Sequence, residues 1–336
     1  MPGRTGSAGG ARRSGVHGWL IVDKPVGPGS TQIVGAVKRA LREGAYPKVK
    51  VGHGGTLDPL ASGVLPVALG EATKLCGRTL DADKVYEFTI GFGAETDTLD
   101  LEGAVIATSD KRPTLAEIEA VLLRFTGATV QVPPAYSALK VDGKRAYDLA
   151  RAGEKVVLAE RNVVIHSLRH AELVSASIDE PSQGFPEWTL KRVQGDGNVD
   201  AVTLEARVSK GTYIRSLARD IARALGTVGH VTMLRRTKAG PFSLDPAISL
   251  DKLDEAAKGR TLEQHLLPLT AGLDDIPALP VSPDQAGALR QGRIVIGIAA
   301  QPGLYLATDQ DVPVALVELS EGGLRPELRV LRGFNL

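Results

Sequence analysis

Residues Val51 to Leu75 read VGHGGTLDPLASGVLPVALGEATKL. The glycines at 52, 54 and 55 let the backbone turn tightly or approach a ligand closely. Pro59 disfavours the helical region for Asp58 and holds it in an extended or turn conformation. The apolar run Val64-Leu65-Pro66-Val67-Ala68-Leu69 is too short for a membrane span and suits a buried segment. One carboxylate on a constrained loop with rigid apolar support behind it is a way of fixing an acid in space. The same residues also fit plain turn chemistry, since Asp-Pro is a common turn element.

A chain of 336 residues has room for one large domain and one small one. Its formal charge is +1, so net charge alone does not call for a nucleic-acid partner. The single cysteine, Cys76, excludes an internal disulfide framework and a Cys-rich zinc site. The six histidines are scattered without a His-Glu-x-x-His pattern, so no metal is expected. No Walker loop or Rossmann fingerprint occurs. No stretch of about 18 apolar residues and no apolar signal core is seen, which leads to the expectation of a cytoplasmic protein.

Taken in order, residues 1–16 are rich in Gly and Ser with three arginines and no acid, and a disordered basic tail is expected there. Gly18 to Val22 reads as a strand, followed by a Lys-Pro turn cluster. Ser30 is expected to cap a helix reaching about Arg42, with Ile33, Val34, Val37 and Leu41 on one face. Between Gln32 and Lys50 five basic residues face one acid, Glu43, which fits a solvated surface or a phosphate-facing strip. Val85 to Phe92 alternates as a half-buried strand, and Gly93 to Gly103 reads as an acidic turn. Thr114 to Phe125 is a helix opened by a Thr-x-x-Glu capping box. Pro-punctuated residues 131–140 read as an extended loop. Residues 156–169 are strand-rich, and about 170–199 read as an inserted loop. Ala201 to Val208 is another strand.

From Leu204 to Gly240 eight basic residues stand against two acids. Arg215, Arg219 and Arg223 repeat every four residues on one helix face, and such a row repels itself unless acids or phosphates neutralise it. Residues 245–276 turn acidic, and a domain boundary is expected near 250. Beyond Leu279 a short helix and three strand-like runs, separated by turns at 309–311 and 321–323, suggest a small β-rich domain.

Several of these motifs, in this order, are similar to those of the TruB-type bacterial tRNA pseudouridine synthases. The stretch from Gly52 to Pro66 resembles their G-H-x-G-T/A-L-D-P-x-A-x-G-x-L-P signature. Lys84-x-Tyr86, the Thr-Asp-Thr-Leu-Asp run at 96–100, the Gln131 to Lys140 loop, Lys210-Gly-Thr-Tyr-Ile-Arg215 and Leu234-Arg-Arg236 continue the match. The resemblance spans about residues 18–250. Gly54 departs from it, since the family usually has Thr there.

The resemblance implies an α+β fold: a mixed β-sheet core with flanking helices over 17–250, then a small β-rich PUA-like RNA-binding domain over 251–336. It implies isomerisation of uridine 55 in the TψC arm of tRNA by a monomer, without cofactor or metal. Asp58 would be the nucleophile or base, and Arg215 would pair with it. Tyr86 would carry the everted base, Tyr213 and Leu234 would wall it, and His53 would pack on the RNA or fill the gap left behind. A non-catalytic RNA binder or folding chaperone on the same scaffold, or a synthase for a different RNA, stand as rivals.

Overall fold

The structure, a computed structural model, describes residues 16–137, 139–141, 143–154, 156–171, 197–321 and 325–336. Nearly all of the expected basic tail, most of the expected insertion at 170–199 and residues 322–323 of the expected turn lie outside the described residues.

The chain starts with β1 (Gly18–Lys24), α1 (Ser30–Glu43), β2 (Val51–His53), β3 (Ala61–Leu69), α2 (Cys76–Asp81) and β4 (Lys84–Phe92). Next come the hairpin β5 (Ala94–Thr96) and β6 (Val105–Thr108), then α3 (Leu115–Leu122) and β7 (Gly127–Gln131). A small hairpin, β8 (Lys140–Val141) and β9 (Lys144–Arg145), leads into α4 (Ala146–Arg151). Then follow β10 (Arg161–His170), β11 (Ala201–Val208), α5 (Ile214–Ala224), β12 (Gly229–Ala239), α6 (Leu250–Lys258) and β13 (Leu266–Leu267). The C-terminal part holds β14 (Ala278–Pro280), α7 (Pro283–Arg290), β15 (Val295–Ile296), β16 (Gly303–Asp309), β17 (Val312–Ser320) and β18 (Glu327–Gly333).

Nine strands form one mixed sheet in the order β13-β1-β3-β12-β4-β11-β10-β7, with β2 also paired to β3. The fold is α+β, as expected. Alternation explains the centre of the sheet: Phe88 and Ile90 of β4 are fully buried among Leu204, Leu217 and Ile221 from β11 and α5. The capping box of α3 is present, Thr114 and Glu117 bonding reciprocally, and the last turn to Phe125 tightens into a 3₁₀ helix.

Two local expectations are corrected. Ser30 is the first residue of α1 rather than its cap; Gly29 occupies the cap. The Ser30 hydroxyl is engaged elsewhere, accepting from Leu57 N–H at 2.8 Å and donating to Leu57 O at 3.1 Å. Lys24 is no turn residue but the buried end of β1, because β3 pairs with that strand out to Lys24↔Gly63.

The outer edge of β3 is shared. Its first residues pair in parallel with β12 (Leu234↔Ala61 to Arg236↔Gly63), and its last with β2 (Val51↔Leu69 to His53↔Val67). Between them the two partners part, and the loop carrying Asp58 leaves through that fork. Gly54 N–H closes one side on Pro66 O at 2.8 Å, and the Arg236 guanidinium closes the other on Val64 O at 2.8 Å. Gly63, at φ +99°, is required here: an added Cβ would overlap the Arg236 carbonyl.

Residues 250–273 pack against the large sheet. Leu253, Ala256, Ala257 and Leu262 join the α1 core, and Leu266–Leu267 pair with β1. The second, five-stranded sheet (β14-β16-β17-β18-β15) starts at Ala278. Leu306, Leu316 and Phe334 from this part share one core with Trp19, Ile21 and Phe242 of the first.

Candidate active site

The loop from Gly54 to Ala61 is gripped through its backbone. Ser30 holds Leu57 as described. Lys24 Nζ donates to Pro59 O at 3.2 Å, to Ala61 O at 2.5 Å and to its neighbour Pro25 O at 2.9 Å. Arg236 donates to Thr56 O at 3.1 Å and reaches Gly55 O at 3.5 Å. Arg236 is 1% exposed, and its only ion-pair or hydrogen-bond partners among the described residues are carbonyl oxygens. The carbonyls freed where the strands part are what a buried guanidinium satisfies here. Asp58 is left projecting, its side chain 43% exposed.

Arg215, in the first turn of α5, meets Asp58 Oδ2 at 2.8 Å. Its side chain is 7% exposed and has three other acceptors: Thr98 O at 2.8 Å, Tyr136 O at 2.9 Å and Asp100 Oδ2 at 3.2 Å. The guanidinium is therefore held in place whether or not Asp58 contacts it. Asp100 is itself fixed, accepting from Thr98 Oγ1 at 2.5 Å and Glu102 N–H at 3.0 Å. The preceding residue, Leu99, sits at φ +64°, a costly conformation for a branched side chain. It is held there by burial and by Val231 N–H bonding to its carbonyl at 3.0 Å. Two carboxylates on one buried guanidinium leave a net negative charge, and Asp58 is the member turned to solvent.

Asp58, Arg215, Asp100 and Leu234 line one open cleft, with Leu60 and Thr232 beside them. Leu234 and Tyr86 sit at the seam of the two main cores, each packed against both. Tyr213 precedes α5, locked by Gln131, which accepts from its N–H at 2.7 Å and donates to its carbonyl at 3.0 Å. Burial raises the pKa of its half-buried phenol, opposed first by the positive charge of Arg161, with weaker effects of Asp58 and Arg215. His53 lies apart from the cleft lining, at the end of β2 near Arg236, where burial lowers its pKa. Burial also lowers Lys24 to about 8, opposed by the attraction of Asp58.

The sequence reading overlooked Asp100, Lys24 and Arg236 as parts of this centre. The acidic turn containing Asp100 carried no sign of its partner, because Arg215 is 115 positions away. An acid in a Thr-rich turn and a lysine beside a proline each read as surface. In the arginine row, Arg223 pairs with Glu95 at 2.7 Å and Arg219 with Asp220 at 2.8 Å, and nearby Arg235 pairs with Asp23 at 2.8 Å. Acids therefore pair with the row, one of the two alternatives its spacing left open. Among the described residues no three His, Cys, Asp or Glu side chains are grouped to hold a metal. Among them, too, no helix is long and apolar enough to cross a membrane.

Residues 42–214 match the model of the TruB family pseudouridylate synthase N-terminal domain, and residues 215–274 that of the tRNA pseudouridylate synthase B C-terminal domain. The chain is 61% identical to the tRNA pseudouridine synthase B of Novosphingobium aromaticivorans over 96% of its length and 98% of that protein. It is 58% identical to that of Zymomonas mobilis over 95% of its length and 96% of that protein. Among solved structures it is similar to a chain of an H/ACA ribonucleoprotein bound to substrate RNA, with TM-score 0.66, 23% identity and coverage of 95% of this chain and 85% of that one. An archaeal Nop10-Cbf5 complex gives 0.64, 24%, and 95% against 86%. At that identity the structural likeness is one of fold. The sequence matches carry the assignment: this chain belongs to the TruB family of pseudouridylate synthases.

Proposed function

We propose that the protein is a tRNA pseudouridine synthase that isomerises uridine 55 in the TψC loop, acting in the cytoplasm as a monomer. The observation carrying this reading is the half-exposed Asp58 carboxylate, set against a guanidinium whose position does not depend on it. The reaction breaks the N1–C1′ bond and forms a C5–C1′ bond. The C5 proton leaves and N1 gains one, so no electrons are exchanged. The target base must leave its stack to be reached. Tyr86, Tyr213 and Leu234 are assigned to hold it, and His53 to the RNA beside it. Asp58 is assigned as nucleophile or base, and Arg215 as the group that pairs with it and orients it. Buried Asp100 takes the opposite side of Arg215, so the pair stays aligned when the nucleotide enters. The C-terminal β-rich part is assigned to RNA contact beyond the cleft.

The test is incubation with unmodified tRNA and mapping of pseudouridine by position, for wild type and Asp58→Asn. The variant should bind tRNA as wild type does and lose the reaction by about a thousandfold or more. Full activity in the variant would remove Asp58 from the mechanism. Binding without any product in the wild type would favour the chaperone reading, and product only in another RNA would reassign the substrate.

A further inference from the structure

Five basic side chains cluster between Gln32 and Lys50 without a carboxylate partner among the described residues. Lys38, Arg39 and Arg42 lie on the exposed side of α1, and Lys48 and Lys50 on the segment leading into β2; all five are exposed. Among the described residues none of them is within ion-pair distance of an acid, although Glu43 lies in the same stretch. This contrasts with α5 and β12, where Arg219, Arg223 and Arg235 each hold a carboxylate. Both ends of the strip are tied to the candidate site. Ser30 at the start of α1 bonds the residue preceding Asp58. At about 1.5 Å of rise per residue, Lys38 and Arg42 stand about 12 and 18 Å along the helix from that anchor. Lys50 precedes His53 by three residues of extended chain, about 10 Å.

We infer that this strip is a docking surface for the RNA phosphate backbone, a few nucleotides away from the base that enters the cleft. The inference rests on the RNA-modifying function proposed above. Its physical ground is that counterion release needs cations not already neutralised by protein acids. Here the strip supplies them and the arginine row of α5 does not.

The experiment measures tRNA affinity of the full-length protein from 50 to 300 mM salt for wild type, the triple variant K38Q/R39Q/R42Q, the double variant K48Q/K50Q, and R219Q/R223Q. Removing one phosphate contact should flatten the log–log slope by about 0.7 to 0.9. The triple variant should show about two to three such increments and the double about one to two, with affinity at 100 mM salt reduced roughly tenfold or more. The turnover rate at saturating tRNA should remain that of wild type. R219Q/R223Q should keep a slope close to wild type. Unchanged slopes in both strip variants, or an effect confined to R219Q/R223Q, would overturn the inference. Failure of the wild type to form pseudouridine would instead overturn the catalytic reading, and the slopes would still decide the docking surface.

Discussion

Lys24 offers a quantitative check on how the Asp58 loop is held. Its side chain is fully buried and donates to three carbonyl oxygens, two of them one and three residues after Asp58. Burial lowers its pKa from 10.5 to about 8, a depression worth about 3.4 kcal/mol at 1.36 kcal/mol per unit. Below pH 8 both native and unfolded chains hold the proton, and the burial penalty acts in full. Between about pH 8 and 10.5 the native chain gives up the proton while the unfolded chain keeps it. The unfolded state then binds more protons, so stability should rise with pH, by up to about 1.4 kcal/mol per unit from this group. Lys24→Met removes the titration. Urea unfolding at half-unit steps from pH 7.5 to 10 should therefore show a difference in slope between wild type and variant that approaches 1.4 kcal/mol per unit near pH 9. Lys84, also lowered to about 8 by burial, is present in both proteins and cancels. Identical pH slopes would show that Lys24 keeps its proton through this range. The three carbonyl bonds would then outweigh the desolvation, and burial would not set the charge state of the group that anchors the loop.

Two further perturbations address the fork around Asp58. Arg236→Ala leaves Val64 O and Thr56 O without their donor and opens a buried void, so it should cost about 3–5 kcal/mol by urea titration and reduce turnover through loosening of the loop; a loss below about 1 kcal/mol would show that water replaces the guanidinium. Gly54→Thr should destabilise this protein by about 1–3 kcal/mol, because an added Cβ would lie 2.8 Å from Cβ of buried Thr79. Thr79→Gly on the same background should recover part of that loss, and strict additivity in the double-mutant cycle would contradict the steric cause.

Much of the architecture was legible from short-range patterns. Alternation in β4 and β11, the capping box of α3 and the three C-terminal strands need only neighbours along the chain to be recognised. Local constraint by Gly, Asp and Pro made Asp58 a candidate beside plain turn chemistry, and the family resemblance is what raised it and named Tyr86, Tyr213, Arg215, Leu234 and His53 with it. A helix wheel also put Arg215, Arg219 and Arg223 on one face, but it could not show what faced them. Their partners arrive from β5 and the turn after it, and from the adjacent residue in α5. Pairing gave Arg219 and Arg223 carboxylate partners, while the five cations near α1 have none among the described residues.

Strands and helices with a clear apolar period, such as β4, β11 and α3, follow from the order of amino acids alone, because backbone preference and apolar period act over a few residues. The end of β1, and β12, are set by pairing. Which charges are neutralised does not follow from that order and is settled by the folded arrangement. The energy of a charge depends on burial and on partners within a few ångströms. Those partners are set by strand order, as where β2 and β12 part along β3 and Arg236 fills the gap.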